Sequence, residues 1–225
     1  MTIIAATNVK KCVQTLASPI DILKGVNLNV NAGEAIAIVG ASGSGKTTLL
    51  SLLAGLDIPT SGEIWMDGKC LSAMTEDDRA NCRKGRVGFV FQNFDLLPTL
   101  NALENVMLPG ELCGMEEITS KATAILSKVG LENRLNHFPH QLSGGEQQRV
   151  AIARAYVTSP KILFADEPTG SLDTINGEKI IELLFELKNQ INSTLIFVTH
   201  DHDLAKRCER TYSLEAGILQ AFKDA

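Results

Sequence analysis

The chain has 225 residues, of which 44% are hydrophobic, with 21 Lys and Arg against 26 Asp and Glu and a formal net charge of −5. That length suits one large domain or a core with an inserted lobe, and the acidic balance gives no electrostatic reason to expect nucleic acid as the main partner. No apolar run approaches the ~20 residues needed to span a bilayer, and the five cysteines, odd in number and in no C-x-x-C pair, read as scattered reduced thiols rather than disulfides or a metal site.

The opening residues Met1-Thr2-Ile3-Ile4-Ala5-Ala6 carry neither a basic n-region nor a long apolar core, so no signal peptide is expected. Residues 22–30 and 63–67 alternate or lie beside turn signals (Asn31-Ala32-Gly33 and Asp67-Gly68) and read as an antiparallel flank of strands. Between them the apolar run at 35–39 leads into Gly40-Ala41-Ser42-Gly43-Ser44-Gly45-Lys46-Thr47, and Thr48-Leu49-Leu50-Ser51-Leu52-Leu53-Ala54 follows. This is the phosphate-binding loop G-x-x-x-x-G-K-[ST] in the strand–turn–helix context it requires. Its glycines let successive amides turn inward as an anion nest, and the following helix adds its positive N-terminal end. Lys46 can reach the β- and γ-phosphates, and the Thr47 hydroxyl can ligate Mg²⁺.

Further along, Thr75-Glu76-Asp77-Asp78 reads as a helix start. Residues 87–91 form a second buried strand pattern, ending at Gln92. From about 93 to 156 the strand patterns stop and residues 103–107, 120–129 and 146–156 look helical, so 93–156 reads as a helical lobe inserted into an α/β core made of 1–92 and 157–225. His137 and His140 flank Pro139 with no cysteine partner nearby, a poor match to zinc spacing. Within the lobe, Ser143, Gly144 and Gly145 open a helix and make a second anion site.

A strand over 161–165 then ends in Asp166-Glu167. Beside a phosphate loop, the first acid holds the Mg²⁺ shell and the second stands where it can orient and deprotonate water. Residues 178–188 form an amphipathic helix, and 194–199 a last buried strand leading to His200. Taken alone, His200 reads equally as a satisfied structural histidine or as a functional one. The segment after it opens a helix that Asp201 or Asp203 caps or complements. Four continuous apolar strands thus each deliver a polar residue or motif, and in open parallel sheets ligands bind beyond the carboxyl ends of the strands. The expectation is one α/β site, with a second anion cradle that a single nucleotide in a single chain cannot use.

Leu142-Ser143-Gly144-Gly145-Glu146-Gln147-Gln148-Arg149 carries the clearest resemblance: it is similar to the signature motif of the ABC (ATP-binding cassette) transporter ATP-binding subunits. The likeness runs through the chain in order. Gly40, Ala41, Ser42, Gly43, Ser44, Gly45, Lys46, Thr47 and Thr48 resemble Walker A. Gln92 resembles the Q-loop glutamine, which in that family touches Mg²⁺ and faces the membrane subunit. Residues 162–166 resemble Walker B, Glu167 the catalytic glutamate, Ser171-Leu172-Asp173 the D-loop, and His200 the switch histidine at the γ-phosphate. The stretches 93–106 and Ala165-Asp166-Glu167-Pro168-Thr169-Gly170 are similar to the lipoprotein-release and macrolide-efflux group, and most of all to its YbbA type.

The resemblance implies an ABC ATPase fold: a RecA-like P-loop NTPase core with an antiparallel β subdomain and an inserted α-helical subdomain. It implies ATP and Mg²⁺ as ligands, with Thr47, Gln92 and Asp166 at the metal and Lys46, Glu167 and His200 in the chemistry. It implies a head-to-tail homodimer, each ATP lying between the Lys46 loop of one chain and Ser143, Gly144 and Gly145 of the other. A membrane permease and a place on the cytoplasmic face of the cell membrane follow from the same likeness. One departure stands out. Family members place an aromatic ring, commonly Tyr, upstream of Walker A to stack on adenine. Val13 is the best match here, and no Phe, Tyr, Trp or His occurs from Met1 to Ile64. The rival readings are soluble ABC ATPases. Those of DNA repair carry long coiled coils, whereas about 50 residues without sustained heptads separate Gln92 from Leu142. Translation-type factors hold two cassettes and a basic linker, whereas this chain has one cassette and is acidic.

Overall fold

A computed structural model describes residues 1–15 and 18–222. In chain order the elements are β1 (Thr2–Gln14), β2 (Pro19–Asn31), β3 (Ala35–Val39), α1 (Lys46–Leu53), β4 (Ser61–Met66), β5 (Lys69–Cys70), α2 (Glu76–Arg83), β6 (Val87–Val90), α3 (Ala102–Leu112), α4 (Ile118–Lys128), α5 (Gly144–Tyr156), β7 (Ile162–Asp166), α6 (Thr174–Ile191), β8 (Thr194–Thr199), α7 (His202–Ala205), β9 (Arg210–Glu215) and β10 (Ile218–Ala221). They gather into two compact units, one of Met1–Arg83 with the residues from Thr194 onward, the other Lys84–Ser193.

The first unit holds two kinds of sheet. Strands β2, β1, β4 and β5 are antiparallel neighbours in that order. Their inward residues alternate along each strand, with Ile4, Val9, Leu28, Val30 and Ile64 at 3% exposure or less, the pattern of a sheet with one face covered. The parallel part differs. All five residues of β3 and all six of β8 are buried, as strands covered on both faces must be. β3 runs between β8 (Val39 opposite Thr199) and β9 (Val39 opposite Ser213). β10 turns back antiparallel along β9. Two carboxyl-end exits therefore lie side by side on adjacent parallel strands: Gly40 after β3 and His200 after β8.

The second unit is built on α5, which meets α3, α4, α6 and β6. Its sequence explains that centrality: Val150, Ala151, Ile152 and Ala153 are all fully buried, so the helix is apolar around its whole middle. Tyr156 ends it with its ring buried and its O–H donating to the Leu184 carbonyl at 3.1 Å, and burial pushes that phenol upward from its usual range. α3 begins with a capping box between Asn101 and Glu104. One turn later the buried Asn105 accepts from Leu97 N–H and donates to the carbonyls of Leu97, Leu100 and Asn101, which shapes the loop before the helix. β6 and β7 are parallel partners, Val90 opposite Ala165. This gives a second pair of adjacent exits, Gln92 beyond β6 and Asp166-Glu167 at the end of β7.

Candidate active site

The loop between β3 and α1 is shaped by its glycines. Gly45 has φ +101°, and a Cβ there would lie 3.2 Å from both Ile22 and Leu23 of β2, so both backbone and space demand glycine. A Cβ on Gly40 would lie 2.4 Å from the Leu214 carbonyl oxygen and 2.8 Å from Ser44 Oγ. α1 starts with no side-chain cap and no acid in its first turn, so its leading amides depend on some other acceptor. Ser44 Oγ is buried without a protein partner. Lys46, 8% exposed, folds back over the loop and donates from Nζ to the carbonyls of Gly40 (2.8 Å) and Ala41 (3.1 Å). A tight glycine loop, a lysine folded onto it and an uncapped helix after it fit a phosphate chain. Thr47 is exposed at the rim and Thr48 half-buried.

Beside the loop is a cavity of about 660 Å³ lined by residues 39–44, His200, residues 213–216 and Phe222. The structure thus brings His200 to the first half of the phosphate loop. Asp201 behind it caps α7, accepting from the amides of Asp203 (2.8 Å) and Leu204 (3.1 Å), so α7 helps fix the backbone that carries the histidine. Phe222 is a wall of this cavity that sequence reasoning missed; a ring at a strand end carries no periodic signal. Val13, 41% exposed, stands opposite Ile20, 53% exposed. Two residues on, Ile22 touches the far end of the loop at Gly45. An aliphatic pair therefore occupies this end of the β1–β2 hairpin.

In the second unit, Ser143 caps α5, its Oγ accepting from Glu146 N–H at 3.3 Å. Glu146 answers by accepting from Ser143 N–H (2.9 Å), Ser143 Oγ–H (2.8 Å) and Arg134 Nε–H (2.8 Å). The Ser143 amide above all, then Arg134 and the Ser143 hydroxyl, hold its carboxyl down at about 2. Gly144 and Gly145 fall at N1 and N2, where a helix amide has no acceptor within its own helix. A Cβ on Gly144 would lie 3.7 Å from Leu172 and 3.8 Å from Phe94.

The acids end β7 half-buried. Glu167 is left-handed, φ +48°, an uncommon conformation for a residue with a Cβ. Its carbonyl accepts from Gly170 N–H at 3.0 Å, closing a tight turn. Ser171 Oγ donates to the Gln92 carbonyl at 3.0 Å, and a Cβ on Gly170 would lie 2.8 Å from Gln92 Nε2. Gln92 is thus packed against the turn that follows the acids. Asp173 caps α6 by accepting from Asn176 N–H at 3.0 Å. Among the described residues no cluster of three or more His, Cys, Asp or Glu stands ready for a metal. Mg²⁺ characteristically binds one or two protein oxygens along with phosphates and waters, so Thr47, Gln92 and Asp166 fit that donor chemistry. His140 stacks on Phe138, with centroids 6.0 Å apart.

Comparison with known proteins agrees with these motifs. The sequence model of the ABC transporter family matches residues 23–170. The chain is 54% identical over 220 residues (97% of this chain, 96% of the relative) to an ABC transporter ATP-binding protein, YbbA, of Escherichia coli K12, itself uncharacterized. It is 48% identical over 219 residues (96% of each chain) to the lipoprotein-releasing system ATP-binding protein LolD of Saccharophagus degradans. Among solved structures it is similar to the cassette MJ0796 in a dimeric post-hydrolysis state bound to ADP and Pi, at TM-score 0.90 and 40% identity, covering 99% of this chain and all of the other. The fold is that of an ABC ATPase, and the chain belongs to the ABC transporter family.

Proposed function

We propose that this chain is the ATP-hydrolysing subunit of a bacterial ABC transporter, working as a head-to-tail homodimer on a membrane permease of the lipoprotein-release or macrolide-efflux type. The observation that carries the reading is the pair of anion cradles in one chain: the glycine loop ahead of α1 and the Ser143-capped glycines of α5. Relatives named as lipoprotein-releasing ATP-binding proteins and a dimeric neighbour support the partner and the assembly. Among the described residues no helix is long and apolar enough to cross a membrane. The permease would therefore hold the subunit at the cytoplasmic face. In this reading 1–92 with 157–225 form the catalytic core and 93–156 the helical lobe.

The amides of residues 41–47 and Lys46 bind and orient the phosphates. Thr47, Gln92 and Asp166 would hold Mg²⁺, which when bound neutralises the charge on the β- and γ-oxygens. Glu167 takes a proton from the attacking water. His200 steadies the γ-phosphate. Ser143, Gly144 and Gly145 of the second chain close the site and exclude solvent. Positioning and charge stabilisation supply most of the rate.

The test is Glu167→Gln. Shape and phosphate contacts survive while the base is lost, so ATP should still bind and turnover should fall by about 10²–10⁴-fold, the usual worth of a positioned base. Gel filtration with ATP should show a trapped dimer and a phosphate-release assay should show the loss. Near-normal hydrolysis would remove Glu167 from this role.

A further inference from the structure

We infer that Gln148 is a positioning residue for Glu167, joining the helix of the second anion cradle to the turn that carries the base. This rests on the proposed ATPase reading. Gln148 lies on α5 three residues beyond Gly145 and is fully buried. Its Nε2–H donates to the Pro168 carbonyl at 2.5 Å. Pro168 is itself buried and directly follows Glu167, whose φ of +48° needs support from its surroundings. The turn is anchored at its other end as well: Gly144, at the start of the same helix, packs toward Leu172. One rigid helix thus touches both ends of the 167–172 turn.

Packing alone does not explain an amide here. Gln148 Oε1 is buried with no hydrogen-bond partner, and an unsatisfied buried carbonyl destabilises a fold. Reversing the amide would set oxygen against the Pro168 oxygen, so the orientation is fixed by the contact itself. A methionine would fill the same space without leaving a polar atom unsatisfied. What only the amide provides is an N–H held on the backbone next to the base. Because the helix presents Ser143, Gly144 and Gly145 to the nucleotide of the opposite site, a shift of α5 on engaging that nucleotide is passed directly to the Pro168 carbonyl and so to Glu167.

The experiment compares Gln148→Met, Glu167→Gln and the double variant in the full chain, with purified protein, Mg²⁺ and ATP. Circular dichroism checks folding, a fluorescent ATP analogue gives affinity, and phosphate release gives kcat and KM. Gln148→Met should bind nucleotide within about twofold of the parent, as its phosphate cradles are intact, while kcat falls at least tenfold, roughly 1.4 kcal/mol of barrier. On the Glu167→Gln background the same change should lower the residual single-turnover rate less than twofold, because its effect runs through Glu167. Gln148→Leu, apolar and likewise without the N–H, reads the same loss should Gln148→Met not fold. A kcat within twofold of the parent, or a full further tenfold loss in the double variant, overturns the inference. Normal turnover of Glu167→Gln alone would instead remove Glu167 as the base, the part of the proposed reading on which the inference rests, so the two failures are told apart.

Discussion

Glu146 sits in the middle of the α5 cradle as both a cap and an ion-pair partner. Its folded carboxyl is held at about 2, well below its ordinary 4.5, by the Ser143 amide and then by Arg134 and the Ser143 hydroxyl. A depressed carboxylate contributes stability above its unfolded pKa and loses it as pH falls through the folded one. The contribution is therefore present from about pH 5 upward and fades between about pH 4.5 and 2. Glu146→Gln should remove that acid-sensitive part. The stability gap to the parent should be about 0.5–2 kcal/mol at neutral pH, on the scale of an N-terminal cap, and should close toward pH 2. Thermal melts of both proteins from pH 2 to 7 measure it. A gap that does not change with pH would mean that the carboxylate charge is not what fixes the cap.

Val13 raises a question of base recognition. Trp65, the first aromatic of the chain, pairs with Ala5 in the sheet. That is eight residues from Val13, roughly 26 Å of strand at about 3.3 Å per residue, so it does not replace the missing ring. Stacking on an aromatic is typically worth ~1–3 kcal/mol, and the exposed Val13–Ile20 pair offers only an aliphatic surface. ATP and GTP should then bind within roughly tenfold of each other, a gap of about 1.4 kcal/mol, and Val13→Tyr should tighten ATP. Titration with both nucleotides decides it. A strong ATP preference in the unmodified chain would show that adenine is read by another side chain, for which Phe222 on the loop cavity is the first to test.

At the scale of elements, the phosphate loop is seated by β9 as well as by its own helix. Gly40 has no room for a side chain against the Leu214 carbonyl, whereas Gly43, at φ +77°, has nothing within 4 Å of a Cβ. The two glycines therefore serve different ends. Gly43→Ala should cost about 1–2 kcal/mol, the left-handed penalty. Gly40→Ala meets backbone, which cannot swing aside, so β3 and β9 must separate. It should cost about 1–3 kcal/mol through overpacking and also weaken nucleotide binding. Melting temperatures with and without ATP separate the two cases. Equal losses of stability and affinity in both variants would contradict this division of labour.

At the scale of the whole assembly, sites shared between two chains predict complementation. Lys46→Ala and Ser143→Arg should each abolish turnover alone. Mixed together they should recover part of it, since one of the two composite sites in the heterodimer is intact. Crosslinking is the more direct test, and Gly40 is unsuited to it because a side chain there collides with Leu214. Ser42 and Ser143 are both exposed, and cysteines at those positions in a cysteine-depleted background should join across the dimer only when ATP is present. No ATP-dependent crosslink would rule out the head-to-tail arrangement.

The sequence by itself determined what is local. The phosphate loop was legible because strand, glycine turn and helix are contiguous. The α5 cradle was legible because Ser143 and two glycines open a helical pattern, and β3 and β8 because strands buried on both faces read as unbroken apolar runs. The helix starts at Glu76 and after Asp201 followed from acids at positions where a helix N-terminus favours them. Other elements were settled only by long-range pairing. β1 spans Thr2–Gln14 but shifts register at Ala6/Val9 and Lys11/Cys12, and such bulges break the period-two signal a strand needs. β9 and β10 acquire their partners from β3 and from each other, across most of the chain. Which side chains support the acids was likewise a tertiary decision. Gln148 on Pro168 and Ser171 on Gln92 join residues 20 and 79 positions apart, and no local propensity or spacing records a contact whose two halves meet only when the chain has folded.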